Sequence, residues 1–195
     1  RFNIQNCMAA VAAGFALGLS GADIRAGLTT FNPTPGQNPG RLNLFEIQGT
    51  RVLLDFAHNV PALRALDQVL DHLVPRPGGR ILRVGYLAGN RLEDDLLEVG
   101  AAMAAKADEL WVSDPDPRGR AEGETSEIIA RGALESGMPE ERVHRALDEW
   151  DNIHQALKAA QPGDLVVLQV EDVQGVVSFL RERQRGLAQA PEVTR

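Results

Sequence analysis

The stretch PGRLNLFEIQGTRVLLDFAHN, residues 39–59, packs a β-hairpin and a cluster of polar groups at a strand end into a short span. RLNLFEI reads as the first strand, with Arg41, Asn43 and Glu46 on or beside it. Gly49 with Thr50 supplies the turn chemistry that reverses the chain. RVLLDF then forms the second strand, in which Val52, Leu53 and Leu54 are a short buried run. At its carboxyl end come Asp55, His58 and Asn59, just before a helix opened by Pro61. Open α/β sheets bind ligands beyond the carboxyl ends of their strands, so these polar residues are the first binding candidates.

Outward from the hairpin, strands and helices alternate. Helices are expected over 61–74, 92–106, 125–136, 150–159 and 173–183. Strands are expected over 80–84, 109–113, near Val143 and over 164–170. Alternation at this spacing implies right-handed crossovers and a mainly parallel sheet covered on both faces. The expected fold is therefore α/β, three-layered and Rossmann-like, with the hairpin at its amino end.

Before the hairpin, Ile4, Met8, Val11, Ala12, Phe15 and Leu19 make one apolar stripe at helical spacing, which reads as a buried helix. Ser20 caps a second short helix whose Ile24, Leu28 and Phe31 are expected to face inward. The loop NPTPGQNPG after it, with three prolines and two glycines, marks a boundary. Three segments result: a helical pair over 1–34, an α/β domain over 35–185, and a frayed tail over 186–195.

Composition narrows the function classes. A net charge of −7 and a pI near 5.1 argue against a nucleic-acid surface. The positive charge is almost all arginine, with Lys106 and Lys158 the only lysines, so anion sites are expected to be guanidinium forks. The single cysteine, Cys7, allows neither an intrachain disulfide nor a cysteine metal centre. That usage fits a cytoplasmic protein, and no apolar run reaches the roughly 18 residues of a membrane span. His72, His144 and His154 lack the ligand spacing of a zinc site. No metal ligand and no catalytic residue is assigned within the chain.

The pattern PGRLNLFE followed by DFAHN resembles the carboxy-terminal domain of the Mur ligase superfamily, most nearly the Mur-ligase-like half of cyanophycin synthetases. Two departures stand out: Phe56 occupies a position where Tyr is usual, and Val60 intervenes between Asn59 and Pro61, shifting the expected helix start by one residue. GNRLEDDLLEVG, residues 89–100, is similar to the family's GDRDED element, with Asn90 where Asp is common. SDPDPRGRAEGE, residues 113–124, is similar to the D-x-D-x-RGR-x-x-GE loop of cyanophycin synthetases. The ordered set of three motifs carries the resemblance; any one alone is weak.

The resemblance implies an ATP-dependent ligase that activates a carboxylate as an acyl phosphate and joins it to an amino acid. ATP and Mg2+ would be bound mainly by a central domain whose last helices are residues 1–34. Arg41 and Asp55 would reach that nucleotide, with His58 and Asn59 beside them as binding residues. Asn90, Arg91, Asp114, Asp116 and Arg118 would face the incoming amino acid, where acids suit a basic one. Backbone amides of the turn 85–91 are a further anion-binding candidate.

Bland readings compete with each of these. Arg41 and Asp55 could simply pair, Glu93, Asp94 and Asp95 are the acids expected in a first helical turn, and the loop 114–124 could be solvated. The chain has no G-x-x-x-x-G-K-[ST] phosphate loop, no G-x-G-x-x-G turn and no nucleophile elbow. Alone, it is expected to have no ligase turnover. The partners implied are ATP, an amino acid and the central ATPase domain, with no nucleic acid or membrane; a homo-oligomer is left open. The alternative is a non-catalytic Rossmann-like interaction domain of a degenerate Mur ligase homologue.

Overall fold

The computed structural model describes residues 2–32, 34–73 and 78–188. The chain forms two compact units, Arg1–Pro39 and Gly40–Arg195.

In the first unit, helices α1 (Phe2–Ala16) and α2 (Gly21–Thr30) are joined by a short turn. Ser20 caps α2: its hydroxyl accepts from the Asp23 N–H while the Asp23 carboxylate reaches back to the Ser20 backbone, a reciprocal capping box. The expectation of buried helices is corrected here. Met8 is 67% exposed and Phe15 60%, and Ile4, Leu19, Leu28 and Phe31 are also exposed; Gly14 is buried, with Val11 and Ile24 half-buried. Two short helices alone lack the second layer that would cover an apolar stripe.

The second unit opens with β1 (Asn43–Ile47) and β2 (Thr50–Leu54), paired antiparallel with Ile47 opposite Thr50. The turn residues are Gln48 and Gly49, one position earlier than expected, and Thr50 already belongs to β2. Both have positive φ, 52° and 78°, the combination a type I′ hairpin needs and one that glycine adopts without strain.

Next come α3 (Val60–Leu73), β3 (Ile81–Gly85), α4 (Glu93–Ala104), β4 (Glu109–Ser113) and α5 (Glu124–Glu135). A 3-10 turn then leads into β5 (Val143–Ala146), followed by α6 (Glu149–Ala159), β6 (Leu165–Leu168) and α7 (Val173–Ala188). Position 74 of the expected third helix lies outside the described residues, as do positions 189–195 of the expected tail. Positions 186–188 continue α7 rather than fray.

The six strands lie in the order β1-β2-β6-β3-β4-β5, and every pairing except β1 with β2 is parallel. One face is covered by α3, α4 and α5: Leu63, Leu70, Leu96, Met103 and Ile129 pack on Leu53, Leu110, Leu165 and Val167. The other carries α6 and α7, whose Ile153, Val176 and Leu180 pack on Leu54, Leu82, Trp111 and Val166. This is the expected three-layer, Rossmann-like arrangement. Each fully buried Leu or Ile contributes roughly 1.5–3 kcal/mol relative to exposure. Because both faces are covered, β6 reads LVVL without polar alternation and all four residues are buried.

Candidate functional site

Parallel pairing brings the carboxyl ends of β2, β6, β3, β4 and β5 to one sheet edge. Two polar clusters stand there, one beyond β2 and one beyond β3 and β4.

Around β2, the PGR segment is clipped to the strand end. The Phe56 N–H donates to the Gly40 carbonyl at 2.8 Å, and the Leu42 N–H donates to Asp55 Oδ2 at 3.0 Å. Asn43, wholly buried, accepts from the Gly40 N–H through Oδ1 at 2.8 Å and donates from Nδ2 to the Arg41 carbonyl at 3.1 Å. Arg41 is exposed, its guanidinium carbon 5.6 Å from the centroid of the Phe56 ring, a cation–π contact. Asp55 is half-buried. Burial raises its pKa, against the Leu42 N–H, the Arg41 guanidinium and the Ala57 N–H, which favour the charged form.

Next in the chain, the exposed His58 has Nδ1 3.0 Å from the Phe56 carbonyl, with ring centroids 5.1 Å apart. Asn59 is the N-cap of α3: its Oδ1 accepts from the Ala62 N–H at 2.9 Å. The helix therefore starts at Val60, and Pro61 lies within the first turn, where a missing N–H costs no helical bond.

The second cluster joins two loops. The Gly89 N–H donates to the Asp116 carbonyl at 2.9 Å, which occupies the amide that the sequence marked for an anion. Arg120 braces the same junction, donating from Nε to the Gly89 carbonyl at 2.8 Å and from Nη2 to the Arg91 carbonyl at 3.0 Å. A side chain at Gly89 would place its Cβ 2.0 Å from the Pro117 carbonyl oxygen, so only glycine permits this approach. Asn90 and Arg91 remain exposed. Asp116 pairs with the Arg118 Nε, and Arg118 holds a positive φ of 42°.

Asp114 differs from its neighbours: it is 4% exposed, its Oδ2 accepts from the Thr125 N–H at the start of α5 at 3.2 Å, and its Oδ1 has no partner. Tyr86 lies at the end of β3. Burial and the adjacent, hydrogen-bonded Glu171 carboxylate push its phenol upward, with Glu149 and Asp116 adding to the shift. Glu149 is buried and accepts from the N–H groups of Glu171 at 2.8 Å and Asp172 at 2.9 Å. Burial raises its pKa.

Arg41, Asp55, His58 and Asn59 are thus gathered at the end of β2, and Asn90, Arg91, Asp114, Asp116 and Arg118 at the ends of β3 and β4. Between them lies a network that the motifs do not contain. Arg83, 0% exposed, donates from Nε to Gln169 Oε1 at 2.7 Å and from Nη1 to Asp67 Oδ1 at 3.0 Å. The signal was present as a charge inside the apolar run ILRVG of a doubly covered strand. Among the described residues, no group of three or more His, Cys, Asp or Glu side chains could hold a metal ion, and no helix is long and apolar enough to cross a membrane.

The family described as Mur ligase, glutamate ligase domain matches residues 40–169. A cyanophycin synthetase from Crocosphaera subtropica is 35% identical over 183 residues, 93% of this chain and 20% of that protein, so the chain spans about one fifth of the length of such relatives. A solved murein peptide ligase from Psychrobacter arcticus has a TM-score of 0.63 at 20% identity, covering 93% of this chain and 36% of that one. A bifunctional folylpolyglutamate synthase/dihydrofolate synthase, crystallised with Mn, AMPPNP and L-glutamate, has a TM-score of 0.60 at 23% identity, over 84% and 35% of the respective chains. These two structures attest the fold. The matched residues run from Gly40, whose carbonyl clips the hairpin, to Gln169 at the end of β6, and the chain belongs to the Mur ligase, glutamate ligase domain family.

Proposed function

We propose that this chain is the carboxy-terminal, amino-acid-side domain of a cytoplasmic ATP-dependent ligase. The reaction joins the amine of an amino acid to a carboxylate activated as an acyl phosphate, as in a cyanophycin synthetase-like enzyme. Residues 1–34 are assigned to the end of the central ATP-binding domain, and 35–185 to the domain that closes over it. The observation that carries the reading is the clipped corner at β2, where Leu42 and Phe56 hold the exposed Arg41 and the half-buried Asp55 at one strand end.

Guanidinium and carboxylate together suit a nucleotide: the one grips phosphate oxygens, the other accepts from ribose hydroxyls. His58 and Asn59 shape the same corner. The cluster of Asn90, Arg91, Asp114, Asp116 and Arg118 lies toward the amino acid. The described residues do not fit Mg2+, whose site is assigned to the central domain. What this chain contributes is position, charge and exclusion of water on closure.

The test is amino-acid-dependent phosphate release by the complete enzyme and by the 195 residues alone. The complete enzyme should turn over and the isolated chain should not. Amide formation by the isolated chain, or an Arg41→Ala enzyme with unchanged KM for ATP, would overturn the reading.

A further inference from the structure

Arg83 stands at the middle of the central strand β3, opposite Val167 of β6 and Leu110 of β4. Its side chain enters the face covered by α3 and α4, where the neighbouring layer is Leu, Val and Met. Nε donates to Gln169 Oε1 at 2.7 Å, and Nη1 donates to both Asp67 Oδ1 at 3.0 Å and the Met103 carbonyl at 3.2 Å. Nη2 is buried with no hydrogen-bond partner. Burial lowers the pKa of the guanidinium, and Asp67 and Asp55 act in the opposite direction.

Such a group is a poor device for stability alone. A buried ion pair commonly contributes no more than an apolar replacement of similar volume, and an unpaired buried donor adds a further cost. Its hydrogen bonds lead instead toward the candidate site. Gln169, 2% exposed, takes the Arg83 Nε–H on its oxygen, which orients the amide so that Nε2 donates to the Ala57 carbonyl at 2.8 Å. Ala57 lies in the middle of the segment DFAHN, between Asp55 and Asn59.

We propose that Arg83 is a positioning residue which, by orienting Gln169, holds the Ala57 carbonyl and so sets the conformation of residues 55–59 at the nucleotide side of the ligase. The consequence for ATP rests on the function proposed above, whereas the mechanical link from Arg83 to Ala57 does not. A relay of side chains, from Asp67 of α3 through Arg83 of β3 to Gln169 just after β6, ends on one backbone carbonyl of the loop after β2. The loop thereby inherits the rigidity of the sheet.

Hydrogen exchange and steady-state kinetics of the complete enzyme test this. Arg83→Met combined with Asp67→Leu removes the pair without leaving an orphan charge, and Gln169→Leu breaks the link independently if that double variant folds poorly. Arg64→Ala, which removes only an exposed ion pair with Glu98, is the control. Expected is at least about tenfold faster exchange at the amides of residues 56–59 in both variants, with β3 and β6 still protected. KM for ATP should rise about tenfold while kcat stays within about twofold.

Faster loop exchange with an unchanged KM for ATP upholds the positioning role and removes the nucleotide assignment. Unchanged exchange at residues 56–59, or protection lost evenly across the sheet, overturns the inference whatever KM does.

Discussion

The backbone N–H of Leu42 donates to Oδ2 of Asp55, thirteen positions further along the chain, at 3.0 Å. This bond makes the PGR loop and the end of β2 one structure. It also separates the demands of stability and function at Asp55. The raised pKa means that the unfolded chain releases its proton first as pH rises, so ionising Asp55 lowers stability through the window above the usual carboxylate value. Asp55→Asn keeps an oxygen for Leu42 and removes the buried charge. Its stability at pH 7 should equal or exceed the parent's, within about 1 kcal/mol. ATP affinity of the complete enzyme should fall by at least about tenfold, as expected on losing a charged hydrogen bond. Urea midpoints and nucleotide titration measure both, and an unchanged affinity would remove Asp55 from the nucleotide site.

Asp164, at the opposite edge of the sheet, has the reverse sign. Burial by itself raises its pKa, but the Arg80 N–H at 2.8 Å, the Gln161 N–H at 2.9 Å and the Arg80 guanidinium at 2.8 Å outweigh it and leave it lowered. Its contribution is present above the unfolded value, near pH 4, and disappears as pH falls through the folded value. Asp164→Asn should cost about 2 kcal/mol at pH 7. The gap between variant and parent should be smaller at about pH 3 than at pH 7, because the carboxylate contribution fades as pH falls below the unfolded value. A gap of equal size at both pH values would show that the carboxylate charge is not what matters.

Glu149 holds two backbone N–H groups just before α7, those of Glu171 and Asp172. Asp172 in turn accepts from the Gly175 N–H in the first turn of that helix. Glu149→Ala would leave both donors to find water and should cost about 2–4 kcal/mol, whereas Glu149→Gln retains one acceptor and should cost about half as much. Equal costs for the two variants would assign the effect to packing.

The junction of Gly89 with Pro117 and Arg120 yields a test of the amino-acid side. Gly89→Ala forces a Cβ against the Pro117 carbonyl and must part the two loops. A destabilisation of about 1–3 kcal/mol is expected, with a higher KM for the amino acid in the complete enzyme. Arg120→Ala removes the bonds to the Gly89 and Arg91 carbonyls and should reproduce the kinetic effect with less loss of stability. An unchanged KM in both would place amino-acid recognition elsewhere.

Much of the molecule is legible in one dimension because its signals are local. Gly49, apolar runs such as Val52–Leu54 and the acids Glu93, Asp94 and Asp95 announce a turn, a buried strand and a helix start through backbone sterics, burial and dipole. The positions of the turn at Gln48–Gly49 and of the α3 cap at Asn59 shift by one residue, since either neighbour satisfies the local rule and register decides between them. The stripe of α1 was legible as amphipathic but not as exposed, because periodicity identifies a face without identifying what covers it.

From the sequence alone came the alternating strands and helices, the hairpin, the separate helical pair and the three polar motifs, all set by contacts or spacings within a few tens of residues. Only the tertiary structure decided that β6 inserts between β2 and β3, and that insertion makes the site what it is. It carries Gln169 to Ala57, 112 positions away in the chain, and brings Arg83 to Gln169 across 86. No local propensity encodes such bonds. They follow from strand order, and strand order is chosen by the burial of two whole faces at once.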